Sequence, residues 1–518
     1  MSRRKDGKVR RWGLLGFVCA VASVVMAACG SSLQTPVVGA SVRVTPIQPI
    51  LRQNEMPVML ADHSVAGRVY LFNADVLNGQ CQFFVSDNNG YTWRSTAAPN
   101  LAPYTDCGPG SSQPLNWRST MVQGPDGAIY VGYAAHDLSA GGSRSVLLGK
   151  STDGGTSWKT VAVDAAPAAS ATSPAEINFE PHVAVDPGNA RHVVVIFRRS
   201  YPSSKIHPTR PYIATSTDGG ATFSTPTMLF NRAMGFDPPY PVIVNNTLYI
   251  SWHETFSSGP DKIWFSSSTD GGKTFTDHQV TTGTNVDTPV LLYDSGRKKW
   301  DMFWDAGDKD LDVLYASSTD GSTWTAPKRL NDDPKSDGRD QELPAVSISP
   351  SGRIDVAFYD YRNDPYPIPT NGDIGNRQDV YYTASTDGGT TWSANVRLND
   401  LQIDRMKGIW NTQYFIQVPP AMASTDTAAV AAWSDTRNGD EQNPSQDIYA
   451  APIAYDTSTI PAGYAGATSG YSGGDVTLIA IIVGLAALLA GAGVTLILVR
   501  RRAQTAAGVP ADTPPSRR

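Results

Sequence analysis

The chain has 518 residues, 41% hydrophobic and 17% charged, with a formal net charge of −6. That length holds a large core or several domains, and the mild, dispersed acidity argues against nucleic acid as a partner. The 46 Gly, 37 Pro, 12 Trp and 21 Tyr suit many short strands joined by turns.

Residues 1–28 open with the basic MSRRKDGKVRR and continue into the apolar WGLLGFVCAVASVVMAA, the pattern of a signal peptide. Cys29 follows in "MAACGSS", with Met26 three residues ahead of it. The stretch resembles a bacterial lipobox, which implies that Cys29 is acylated; an ordinary signal peptide cut nearby is the alternative. Residues 29–39 then read as a tether. Once Cys19 leaves with the signal and Cys29 carries lipid, Cys81 and Cys107 remain. In an oxidising compartment they are expected to form a disulfide, worth about 3 kcal/mol by chain entropy.

Between residues 40 and 455 one octapeptide recurs. "SDNNGYTW" (from Ser86), "STDGGTSW" (Ser151), "STDGGATF" (Ser216), "STDGGKTF" (Ser268), a shortened "STDGSTW" (Ser318) and "STDGGTTW" (Ser385) make six copies, 50 to 67 residues apart. Three short strand-like runs precede each copy and one follows it. In the sixth unit these are "PAVSISP", "RIDVAFYD", "DVYYTAS" and "WSANVRL". A seventh unit reads "PPAMAS", "TAAVAAWSD" and "DIYAAPIAY" and then stops, without an octapeptide or a fourth strand. "ASVRVTPI", residues 40–47, is available to supply that strand and close a ring.

After a Gly/Ser/Thr linker (456–475), residues 476–499 form an uncharged run of 24 residues. As a helix it is about 36 Å long, enough to span a membrane. Arg500, Arg501 and Arg502 place the tail, 500–518, in the cytoplasm. The body of the protein is therefore expected outside the cell, on the membrane through a span and a lipid.

The octapeptide, S-x-D-x-G-x-T-W, resembles the Asp box (BNR repeat) of the sialidase superfamily, over roughly residues 50–455. The resemblance implies an all-β β-propeller of four-stranded blades, with one box per blade at the turn between the third and fourth strands. Counting first strands gives seven blades; six, as in the sialidases, is the alternative. Asp153, Asp218, Asp270, Asp320 and Asp387 are then structural turn residues.

Strand parity places the start of each first strand and the end of each second strand on the face opposite the boxes. First strands there begin with an acid near proline: Glu55, Glu180, Asp237, Asp287 and Glu342. Such carboxylates near an axis share protons, bind a cation such as calcium, or cap backbone amides of a neighbouring blade. Second strands end in Arg198 and Arg199, His253 and Glu254, Asp305, Asp360 and Arg362, and Asp435 and Arg437. These are candidate ligand residues, the arginines for a carboxylate; an Asp–Arg pair bracing its own loop is the alternative. The resemblance implies a catalytic set drawn from Arg199, Arg362, Arg437, Glu342 and Asp360, with Asp62 or Asp75 as acid. The Phe/Tyr-Arg-Ile-Pro motif of sialidases is absent, and "LRQNEMP" stands in the first unit. The leading expectation is a surface propeller that binds a ligand, carbohydrate first. A sialidase-like exo-glycosidase and an envelope assembly factor are the alternatives.

Overall fold

The computed structural model describes residues 36–47, 51–105, 107, 119–135, 143–167, 176–200, 209–235, 238–256, 259–366, 376–405, 407, 418–440 and 445–464. The chain divides into a unit reaching Thr468 and a second unit, Ser469–Arg518. The expected signal, Cys29, the membrane span and the cytoplasmic tail lie outside the described residues. Among the described residues no helix is long and apolar enough to cross a membrane.

The alternating apolar runs build seven antiparallel sheets among the described residues. Blade 1 comprises Asn54–Ala61, Val69–Asp75, Gln80–Ser86 and Arg94–Thr96; blade 2, Met121–Gln123, Ile129–Ala135, Ser145–Ser151 and Lys159–Asp164. Blade 3 comprises Ile177–Asp186, Asn189–Ser200, Arg210–Ser216 and Thr227–Met228; blade 4, Tyr240–Val244, Thr247–Glu254, Asp261–Ser268 and Thr276–Gly283. Blade 5 comprises Asp287–Asp294, Lys299–Ala306, Asp312–Ser318 and Lys328–Arg329; blade 6, Gln341–Ile348, Ile354–Asp360, Arg377–Ser385 and Val396–Arg397. Blade 7 has Ala421–Ser424, Ala428–Asp435 and Asp447–Ala454. Neighbouring innermost strands meet all the way round, blade 7 against blade 1 included. The fold is a seven-bladed propeller, not a six-bladed one.

The N-terminal segment closes it. Val37–Val38 and Val42–Arg43 pair antiparallel with the third strand of blade 7, so the closing strand includes part of the expected 40–47 stretch and begins a little ahead of it. The register is that of a true fourth strand. Arg43 stands opposite Tyr449 as Arg397 stands opposite Tyr381 in blade 6. Arg43 also reaches Asp447 at 2.8 Å, as Arg397 reaches Asp379 at 2.8 Å. No strand edge is left open at the seam.

Apolar cores fill the gaps between neighbouring blades, and the box aromatics Trp93, Trp158, Phe223, Phe275, Trp324 and Trp392 pack against them. Burying a side chain of that size is worth about 1.5–3 kcal/mol. Each box is a side-chain-stapled turn. In blade 4, Ser268 Oγ donates to Asp270 Oδ1 (2.8 Å), and Gly272 N donates to Ser268 Oγ (2.8 Å). Thr274 donates through N (3.0 Å) and Oγ1 (2.6 Å) to the same carboxylate. Hydroxyl and amide donors of this kind, Ser157 foremost, hold the Asp153 carboxyl down at about 2. Gly272 sits at φ +86°, and a Cβ there would lie 2.7 Å from Ile213 of blade 3. The box is thus also the point where one blade leans on the one before.

Candidate functional site

The pairing registers confirm which ends share a face. Gln341, at the start of a first strand, pairs with Asp360 at the end of a second, and Asp360 pairs with Asp379 at the start of a third. The box, at the far end of the third strand, lies on the opposite face. Asp62, an expected acid, also lies there. It accepts from Ser64, Tyr70 and Gln123, and those bonds outweigh burial and hold it at about 2. That corrects its role: it is a turn residue. Asp75 stays on the candidate face but caps a turn, accepting from Gln53 N and Asn78.

The acid-near-proline pattern is a β-bulge. The ladder slips between Glu55 and Val58, Phe179 and His182, Asp287 and Val290, and Glu342 and Ala345. In three of these blades a non-glycine residue takes a left-handed backbone: Met56 (φ 59°), Glu180 (φ 55°) and Leu343 (φ 57°). Such conformations cost about 1–3 kcal/mol each and persist only where the surroundings enforce them. Just below the bulges, on the axis, a cavity of about 120 Å³ is walled by all seven blades, among them Pro57, Thr120, His182, Tyr240, Pro289, Pro344 and Pro419.

The bulges do not gather the acids into one cluster. Glu55 accepts from Gln53 Nε2 at 2.6 Å, and burial, with Gln446 opposing and Asp75 adding, pushes its carboxyl up to about 8. Glu180 takes Arg198 at 3.1 Å, and Asp287 faces His253 Nδ1 at 3.7 Å. Glu342 Oε1 lies 2.7 Å from Tyr361 Oη. Asp237 lies outside the described residues. Among the described residues no three His, Cys, Asp or Glu side chains come together as a metal site.

The arginines are staples between strands and blades. Arg437 grips Asp435 through Nε (3.0 Å) and Nη2 (2.8 Å), bonds Asp400 of blade 6 at 2.7 Å, and lies 4.0 Å from the Tyr449 ring. Arg362 repeats this with Asp360, with Asp332 of blade 5 at 2.6 Å, and with the Tyr381 ring at 4.2 Å. Arg199 pairs with Asp164 and with Glu176, over Tyr212. The other second-strand residues are engaged as well. Glu254 takes Arg232 through both oxygens and accepts from Trp264, while Asp305 Oδ2 accepts from Leu343 N at 2.6 Å across the blade boundary. Each guanidinium of the expected triad is thus paired with carboxylates where it stands.

A buried polar group also surrounds the start of blade 6, and of its members the sequence reading singled out only Glu342 and Asp360. Tyr361 Oη touches both Glu342 and Gln378 (2.9 Å), and the Arg405 guanidinium lies 5.3 Å from its ring. Asp340, held by Leu311 N at 2.8 Å, is pushed up to about 6 by burial, with Glu342 and Asp310 adding. Asp360 is likewise pushed up to about 6 by burial, against the pull of Arg362. Tyr359 Oη and Gln378 Nε2 are buried without a hydrogen-bond partner among the described residues. Burial raises Tyr359, with Glu342, Asp435 and Glu55 adding and Arg405 opposing.

No family model matches the chain, and no curated protein matches it. Solved structures of sialidases and other propeller enzymes of carbohydrate chemistry do. A GH93 α-L-arabinofuranosidase of Fusarium graminearum, in complex with arabinobiose, is 13% identical over 62% of this chain and 92% of its own, with a TM-score of 0.43. The Hadza microbial sialidase Hz136 is 14% identical over 74% and 75%, with a TM-score of 0.43. A PL25 ulvan lyase is 10% identical over 77% and 94%, with a TM-score of 0.47. The likeness is one of fold. At such identities and scores it says nothing of chemistry, which rests on the residues above.

Proposed function

We propose that the protein is an extracytoplasmic, membrane-anchored propeller that binds a hydroxyl-rich ligand, a neutral carbohydrate first, at the axial mouth opposite the Asp boxes. The carrying observation is that the left-handed bulges, with raised carboxyls at Glu55 and Asp340 beside two of them, share a face with an axial cavity walled by all seven blades, whereas the other face repeats the Asp-box turn. Bulges and stored strain accumulate beside functional sites, as do perturbed carboxyls. About 120 Å³ is small against the several hundred Å³ of a site that engulfs its ligand, so the cavity takes the end of a chain. Tyr240 offers it an aromatic face.

The charge balance supports a neutral ligand over a sugar acid. Arg198, Arg199, Arg362 and Arg437 are each paired with carboxylates, while Glu55, Glu180, Asp287 and Glu342 stand at the bulges. One observation favours the glycosidase reading, the contact of Tyr361 with Glu342. However, that phenol is 1% exposed and burial pushes its proton affinity well up, so as it stands it is a hydrogen-bond donor and not a nucleophile.

The test is titration of the purified protein with a panel of neutral and carboxylated oligosaccharides, beside Ala345→Trp, which plugs the axial cavity. Saturable binding of a neutral glycan that the plug abolishes supports the reading; binding only of carboxylated glycans refutes it. Membrane fractionation with protease protection of residues 500–518 tests the anchoring.

A further inference from the structure

On the box face, three of the gaps between successive blades are bridged by a cation of the earlier blade reaching a backbone carbonyl of the later one. Between blades 5 and 6, Arg297 bonds Asp294 Oδ2 (2.7 Å) and Thr386 O (2.9 Å), and Lys299 donates to Gly388 O. Between blades 2 and 3, Lys150 donates to Gly219 O at 3.1 Å. Between blades 6 and 7, Arg353 donates to Thr425 O at 2.8 Å and Asp426 O at 3.0 Å.

Between blades 3 and 4 the described residues show no such bridge. His192 holds the position of Lys299, since each directly precedes the residue paired with its blade's box serine. Asp186, like Asp294, ends its innermost strand and is buried. His192 does not cross. Its Nδ1 is buried without a hydrogen-bond partner among the described residues, 3.6 Å from Asp186 Oδ2. Beyond it lies a cavity of about 240 Å³ lined by His192, Thr215, Thr217, Asn246, Thr269 and Gly271, far above the ~15 Å³ one water needs. Thr269 and Gly271 match Thr386 and Gly388, the very residues whose carbonyls take the cations in the bridge from blade 5 to blade 6. A Cβ built on Gly271 meets nothing within 4 Å, whereas one on Gly388 meets Arg297 at 2.8 Å.

We propose that this cleft is a receptor site for one organic cation, an alkylammonium or alkylguanidinium group, entering from outside to the place where other interfaces hold their own lysine or arginine. Backbone carbonyls and threonine and asparagine oxygens replace its hydration, and the Asp186 carboxylate behind His192 supplies the counter-charge; a buried cation needs both. Guanidinium, being weakly hydrated and planar, is the better fit.

The experiment is calorimetric titration of the full chain, in non-ionic detergent, with n-butylguanidinium, n-butylammonium and n-butanol. One saturable site for the two cations and none for the alcohol is expected. Thr215→Lys sets an ammonium at the register of Lys150 and should weaken cation binding at least tenfold without lowering the melting temperature. Asp186→Asn should erase the preference for cation over alcohol. A capped Gly-Arg-Gly peptide that binds more tightly than n-butylguanidinium marks a protein side chain as the natural occupant, and the reverse marks a small amine; both outcomes uphold the site. No saturable binding, or equal affinity in wild type and Thr215→Lys, overturns it.

Discussion

Replacing the two glycines of one Asp box by alanine separates two roles that the sequence writes identically. Gly271 and Gly272 both have left-handed backbones, φ +75° and +86°. At Gly271 a Cβ meets nothing within 4 Å, so Gly271→Ala pays only the conformational penalty, about 1–2 kcal/mol. At Gly272 the same Cβ lies 2.7 Å from Ile213 Cδ1, in the core between blades 3 and 4. Overpacking adds about 1–3 kcal/mol, so Gly272→Ala is expected to cost about 2–5 kcal/mol in all. Urea unfolding followed by tryptophan fluorescence reads the difference as a shift in midpoint at constant slope. The expected order is wild type, Gly271→Ala, then Gly272→Ala. Equal midpoints for the two variants would refute the claim that the second glycine is a contact between blades.

Three further outcomes follow from the same geometry. Arg437→Ala leaves Asp435 buried without its bidentate partner and should cost about 3–5 kcal/mol, measured by the same unfolding, because the arginine is a staple. Glu55 has a folded value of about 8, above its ordinary 4.5, so the folded protein holds a proton the unfolded chain releases. Stability is then expected to fall between pH 4.5 and 8, and Glu55→Gln should flatten that fall in thermal melts across the range. Cys81 and Cys107 form a disulfide with a sequence separation of 26, and Cys81→Ser with Cys107→Ser should cost about 3 kcal/mol, checked by melts with and without reductant.

The architecture was legible because it is written in repeats. Six boxes and seven first strands count the blades, and a unit lacking its fourth strand points to the N-terminus for closure. Parity of the strands then separates the two faces. The role of the arginines was harder to read, although a signal exists: Asp360-x-Arg362-Asn363 with Asp379-x-Tyr381 recurs as Asp435-x-Arg437-Asn438 with Asp447-x-Tyr449. Both copies fold into the same cage, in which Asn363 bonds Asp379 and Asn438 bonds Asp447. A motif repeated between blades is more readily a brace than a single active site. The bulges could not be read at all. Met56, Glu180 and Leu343 carry no turn signal, and their left-handed backbones are imposed by the neighbouring strands. Tyr359 and Gln378 were equally silent, since nothing local distinguishes a buried donor lacking a partner among the described residues from an ordinary core residue.

The central claim is that the face opposite the boxes binds a neutral carbohydrate and does not cleave sialosides. Assaying fluorogenic sialosides and neutral glycan binding side by side on wild type, Ala345→Trp, Arg362→Ala and Arg437→Ala tests it most directly. The account predicts no sialoside turnover in any of them, and glycan binding in wild type that Ala345→Trp abolishes. Turnover in wild type that is lost in both arginine variants would contradict it.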